Sequence, residues 1–138
     1  MSFINRTAIA GTVAAAAALA GVVTAGLVTA APAGADTEFP TVGDGVRYEF
    51  YSDVQNNEGA YWYDADNDLE ERSRVSLPAR TEDRTGWYGV VSFTSRSKYQ
   101  LTGATIQTDG YFAACRVYVN GTLDSSDSAR GRYAMATC

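Results

Sequence analysis

Cys115-Arg-Val-Tyr-Val-Asn-Gly-Thr-Leu-Asp-Ser-Ser-Asp-Ser-Ala-Arg-Gly-Arg-Tyr-Ala-Met-Ala-Thr-Cys138 decides how this chain is read. The two cysteines of the sequence bracket it. Cys115, Val117 and Val119 alternate with Arg116 and Tyr118, which is the period of a strand with one buried face. Asn120-Gly121 then predicts a hairpin, because both turn positions accept positive φ. A polar turn follows, and residues 132–138 read as a closing strand with Ala134, Ala136 and Cys138 on one face. The economical pairing is a disulfide, Cys115 to Cys138, locking that strand against a facing or adjoining one, with the two alanines allowing close approach. Such a bridge places the domain outside the reducing cytosol.

The same reading extends toward the N-terminus. Residues 46–50 alternate cleanly, with Val46, Tyr48 and Phe50 inward. Residues 60–63 (Ala-Tyr-Trp-Tyr) predict a strand buried on both sides, and residues 74–77 another, stopped by Pro78. Residues 87–94 form the longest apolar run and are expected at the centre of a sheet. Residues 111–119 lead through Cys115, and short strands are expected near residues 39–42 and 99–107. No stretch after Ala35 keeps a helical apolar period. About seven strands with frequent turn signals predict an all-β, two-sheet sandwich.

The first 35 residues differ in kind. Arg6 precedes 25 uncharged residues, 7–31, rich in Ala, Gly, Val and Thr. Pro32 and Ala33-Gly34-Ala35 then supply a break and a cleavage site before Asp36. Residues 1–35 are thus expected to be a hydrophobic signal peptide cut after Ala35, or a helix retained as a membrane anchor through residues 7–31. Either places the rest outside the cytoplasm, in the cell envelope or secreted. Residues 36–45 read as a linker or first strand, and 46–138 as the sandwich. All sixteen acidic and ten of the eleven basic residues lie after Ala35, a formal charge of −6 for that part. This balance argues against nucleic acid and anionic lipid as ligands.

Cys-Arg-Val-Tyr-Val-Asn-Gly, a polar turn and Gly-Arg-Tyr-Ala-Met-Ala-Thr-Cys together resemble the ending of the MmpS family, small mycobacterial membrane proteins. Residues 46–50, the Tyr61-Trp62-Tyr63-Asp64-Ala65 segment and Val75-Ser76-Leu77-Pro78 resemble further pieces of that family, in order. Where the family has Trp after Leu-Pro, this chain has Ala79 and Arg80. The resemblance implies an immunoglobulin-like domain without catalytic residues. It also implies a partner, the extracytoplasmic domain of an RND-type (MmpL) transporter exporting lipids or siderophores. The residues themselves equally allow a freely secreted binding module that recognises a protein or glycan.

Other chemistry is poorly represented. The chain has no histidine, which removes Ser-His-Asp and Cys-His catalysis and the commonest transition-metal ligand. No cofactor motif is present, no spacing singles out a glycosidase carboxylate pair, and a non-enzymatic protein is expected. Residues 64–71 are acidic, and Asp64, Asp66 and Asp68 make a weak calcium candidate. Counting from Asp64, however, the sixth position is Leu69 instead of glycine and the twelfth Val75 instead of glutamate. A hairpin turn bonded to its own backbone explains the cluster more simply. The aromatics offer a better lead. Tyr51, Trp62, Tyr88 and Tyr118 are the candidate partner contacts, because such rings bury large area at low entropic cost.

Overall fold

The computed structural model describes residues 39–138; the expected signal or anchor segment lies outside them. All the described residues belong to the second of two units, Asp36–Cys138. They form nine strands and no helix: β1 (Gly45–Ser52), β2 (Gly59–Tyr63), β3 (Leu69–Ser73), β4 (Ala79–Arg80), β5 (Trp87–Thr94), β6 (Ala104–Gln107), β7 (Phe112–Val119), β8 (Thr122–Arg130) and β9 (Met135–Thr137). Two antiparallel sheets result, ordered β4-β5-β1-β7-β8 and β3-β2-β6-β9.

Alternation sets which side of each strand is buried. Val46, Tyr48, Phe50 and Ser52 of β1 point inward, as do Ala113, Cys115 and Val117 of β7. Ala60, Ala104, Ile106 and Ala136 meet them from the other sheet. Tyr48 is fully buried, and its hydroxyl donates to the Tyr63 carbonyl at 2.8 Å, so the largest core side chain leaves no polar atom unpaired. Burial pushes its pKa up to about 12.

The disulfide joins the sheets. Cys115 lies on β7 of the five-stranded sheet, and Cys138 directly follows β9 of the other, with a Cα–Cα distance of 6.1 Å. The bridge therefore fastens facing strands instead of hydrogen-bonded neighbours. Ala136 packs in the same buried cluster as Cys115, and Ala134, just before β9, is buried as well. Asn120 (φ 49°) and Gly121 (φ 80°) make the β7–β8 turn. The Asn120 side chain also accepts from the Gly45 N–H and donates to Asp44, tying the turn to the start of β1.

Several expectations are corrected. Residues 122–130, read as a polar turn, are a nine-residue edge strand. It pairs along the whole of β7, with one irregularity between Val117 and Tyr118. The strand expected at 74–77 lies earlier, at β3; Ser76 keeps one bridge to Asn56, while Leu77 is buried. Residues 39–42 form no strand, and of 99–107 only Ala104–Gln107 does. The centre of the larger sheet is β1, with β5 beside it, and Val90 of β5 is exposed. In β2, Tyr61 and Tyr63 are half-buried, so that strand is closed on one face only.

Candidate functional site

The outer face of the five-stranded sheet is built from the residues that alternation turns away from the core. On β1 these are Arg47, Glu49 and Tyr51. Opposite them stand Ser92, Val90 and Tyr88 on β5, and Tyr118, Arg116 and Ala114 on β7. Three of the four expected contacts therefore share this face. Tyr51 and Tyr88 are direct cross-strand partners, their rings 6.1 Å apart and inclined by 26°. Tyr118 lies further along the same face, opposite Arg47. Trp62 does not join them. It sits on β2 of the other sheet, packed against the core, with its ring 6.0 Å from Phe50. Its place in an alternating strand puts it on the same inward face as Ala60, which is why it faces the core.

Arginines complete the face, and the aromatic reading had missed them. All four arginines in the strands of this sheet lie over rings, three of them on this face; the fourth, Arg80, pairs with Trp87, which stands opposite Ser52 on the inward phase. Arg47 stands 4.3 Å from the centre of Tyr118, Arg80 4.4 Å from Trp87, Arg116 5.1 Å from Tyr51 and Arg130 4.9 Å from Phe112. A guanidinium plane held over a ring gains cation–π attraction and loses side-chain freedom before any partner arrives. Alternation already placed Arg116 beside Tyr118 on the outward phase. The other juxtapositions needed the pairing of strands far apart in sequence.

Glu49 lies beneath this layer, its side chain only 14% exposed. It accepts the Tyr51 hydroxyl at 2.7 Å, pairs with Arg47 at 3.1 Å and lies 4.0 Å from Arg116. Burial, the hydrogen bond to Glu49 and the carboxylate's charge push Tyr51 up to about 12. The hydroxyl thus stays protonated and fixed as a donor.

Beyond Ala114 the face is concave. A depression of about 440 Å³ opens over this small side chain, between Tyr51 and Arg116 on one side and Phe112 and Arg130 on the other. Its wall is the β4–β5 loop, where Asp83 accepts the Thr81 hydroxyl at 2.6 Å and the Thr85 N–H at 3.0 Å. Those bonds hold the exposed Asp83 carboxyl down at about 2. Gly86 lets this loop close onto the sheet; a Cβ there would stand 2.8 Å from the Ser52 carbonyl oxygen.

The acidic turn is engaged with its own chain. The Asp64 carboxylate accepts the N–H groups of Asp66 and Asp68, each at 2.9 Å, and Asp66 pairs with Arg96. Asn67 adopts φ 68° at the tip, and its side-chain oxygen accepts from Leu101 N–H and Gln100. Among the described residues no three acidic, histidine or cysteine side chains are grouped to hold a metal ion.

No family model matches the chain, and no curated protein matches it.

Proposed function

We propose that the chain is an exported, non-enzymatic accessory protein that holds another protein against the outer face of its five-stranded sheet. The observation that carries this reading is the convergence of Tyr51, Tyr88 and Tyr118 with three ring-stacked arginines, Arg47, Arg116 and Arg130, on that face. Rings and guanidinium groups are the side chains that dominate protein contacts. Holding, without chemistry, fits a chain with no histidine and with both cysteines in one bridge. Export fits the same bridge.

The partner we propose is the extracytoplasmic domain of an RND-type transporter of the MmpL kind, in lipid or siderophore export, as the MmpS resemblance implies. We assign the sandwich to the immunoglobulin-like class on two features. The disulfide runs between the sheets, and Phe50, opposite Cys115 in register, carries Trp62 against it. The bridge differs from the usual one in that β9 is an edge strand.

Photo-crosslinking tests the assignment. With a photoreactive residue at Tyr51 or Tyr118 in the full chain, a large polytopic transporter is expected in the crosslinked product. The same residue at Glu71, on an edge strand of the other sheet, is expected to give none. Equal yields from the two faces would sink the proposal.

A second reading, a freely secreted binding module, is favoured by Ala33-Gly34-Ala35 before Asp36. Mass spectrometry of the native N-terminus separates the two: a mature chain beginning at Asp36 in the culture fluid supports the secreted module.

A further inference from the structure

We infer that Asn120 is a site of spontaneous covalent modification: its side-chain amide cyclises onto the Gly121 nitrogen, at a rate that the Asp44 carboxylate holds down by clamping that amide. The inference goes beyond the accessory-protein reading and is independent of any partner.

An asparagine or aspartate followed by glycine is open to this reaction, because glycine puts no side chain in the way of its own nitrogen. Among the described residues three such links occur, Asp44-Gly45, Asp109-Gly110 and Asn120-Gly121. The structure separates them. The Gly45 N–H is donated to the Asn120 side-chain oxygen at 2.9 Å, and the Gly110 N–H to the Thr108 hydroxyl at 2.8 Å. The Gly121 N–H has no acceptor among the described residues. Gly121 (φ 80°) is exposed, and no atom lies within 4 Å of the place a Cβ would take there. Asn120 is exposed too, whereas Asn56, Asn57 and Asn67 precede larger residues than glycine.

What restrains the reaction is the engagement of the side chain itself. Asn120 Nδ2 donates to Asp44 Oδ1 at 2.9 Å, while Asn120 Oδ1 accepts from Gly45. The amide is thus held toward the start of β1, and it must let go of Asp44 to turn its carbon to the Gly121 nitrogen. That nitrogen then bonds to Asn120 Cγ, the Cγ–Nδ2 bond breaks, and ammonia leaves with the proton that the glycine amide gives up. Water opens the resulting succinimide at either carbonyl. The product is aspartate or, with the backbone rerouted through the side chain, isoaspartate.

Either product undoes the clamp. A carboxylate oxygen takes the place of the donor 2.9 Å from Asp44, and two like charges at that distance oppose each other. Isoaspartate also lengthens the turn between Val119 and Thr122, whose length sets the pairing of β7 with β8. The change falls at the border of the candidate face, in a hollow shared with Arg47 and Tyr118.

The test incubates the full chain in neutral detergent and mildly alkaline heavy-oxygen water and follows each asparagine by peptide mapping. Asn120 is expected to convert first, with heavy oxygen incorporated and both aspartate and isoaspartate formed. Asp44→Ala should speed conversion at Asn120 about fivefold, the worth of one net hydrogen bond, and leave Asn56, Asn57 and Asn67 unchanged. Asn120→Asp should lower the thermal midpoint by roughly 4 °C or more. Adding Asp44→Asn should recover most of that fall, since donor and acceptor have then changed places. Equal rates at Asn56, Asn57, Asn67 and Asn120 in the parent overturn the inference. So does an unaltered rate at Asn120 in Asp44→Ala, or a rise there that the other asparagines share, which would trace to unfolding. A midpoint in Asn120→Asp/Asp44→Asn as low as in Asn120→Asp would overturn the clamp and the inference with it.

Discussion

Cys115 and Asp127 stand opposite each other on β7 and β8, and between them they grip two consecutive residues of the facing sheet. Cys115 is bonded to Cys138, while the Asp127 carboxylate accepts the N–H of Thr137 at 2.9 Å. The amide of Cys138 is directed to the Ala104 carbonyl of β6, so the Thr137 amide faces the free side of β9. An inward-pointing carboxylate on one sheet edge thus satisfies the other edge, a device that discourages edge-to-edge association.

Asp127→Ala should therefore lower stability by about 1 kcal/mol, the worth of one such bond. For a domain of this size that is a fall of roughly 4–8 °C in melting midpoint. Amide exchange at Thr137 should accelerate far more than at Tyr48 in the core. An unaltered Thr137 exchange rate would refute the assignment of this bond.

Cys138→Ser is expected to cost about 2–5 kcal/mol under oxidising conditions, by releasing the loop in the unfolded chain. The parent treated with reductant should fall to the level of the variant in urea melts. Because Asp127 and Cys115 hold adjacent residues of one strand end, the Asp127→Ala/Cys138→Ser double variant should lose less than the sum of the two. An additive result would mean that the grips act independently.

Much of this was legible in the sequence, for physical reasons. In residues 46–50 one face is buried and the other wet, so the period of two is written in the residue types; the Asn120-Gly121 turn is written in the φ values it requires. Thr122–Arg130 was not legible. It is an edge strand exposed along most of its length, held by backbone bonds to β7 on one side, and such a strand needs no apolar period. Val75 and Leu77 misled in the opposite direction: Leu77 is buried from a connecting segment, with a single bridge at Ser76. The arginine face was hidden because Arg47, Arg116 and Arg130 come from three strands, and net charge averages over both faces.

Asp53 provides a pH-dependent element. Its carboxylate accepts the N–H groups of Tyr111 and Phe112 and the Thr108 hydroxyl. Burial opposes the charge, but these donors outweigh it and hold the carboxyl below its ordinary range. A carboxyl depressed in the folded state stabilises above its unfolded pKa of about 3.9, and that contribution is lost as pH falls through the lower folded value. The melting midpoint of the parent should drop in this acid window, and Asp53→Asn should flatten the drop. Gly110→Ala should mimic the loss at neutral pH, because a Cβ would stand 2.4 Å from the Asp53 oxygen. An acid limb of equal slope in parent and Asp53→Asn would exclude this site as its source.

The acidic turn should behave as a structural element. The two amides held by Asp64 make Asp64→Ala cost about 1 kcal/mol. Millimolar calcium should leave the melting midpoint of the parent unchanged, since binding to the folded state alone would raise it by mass action. A calcium-dependent rise that disappears in Asp64→Ala would instead establish a cation site there.

The tyrosines report on the candidate face from within. Of nine in the chain, Tyr48 and Tyr51 are the two pushed up to about 12, the first by burial in the core and the second by burial and the Glu49 carboxylate. Absorbance titration of tyrosinate should show two groups ionising last, and Tyr51→Phe should remove one of them. Glu49→Gln should bring Tyr51 down while leaving Tyr48 in place, because a neutral amide keeps an acceptor and discards the charge that resists tyrosinate. A tyrosine whose folded pKa is raised stabilises fully below its unfolded value of about 10, and the contribution is lost as pH rises through about 12. Alkaline unfolding of Glu49→Gln should accordingly depend less steeply on pH in that interval. If the late-ionising pair survives Tyr51→Phe, the Glu49–Tyr51 bond is not what orders this face.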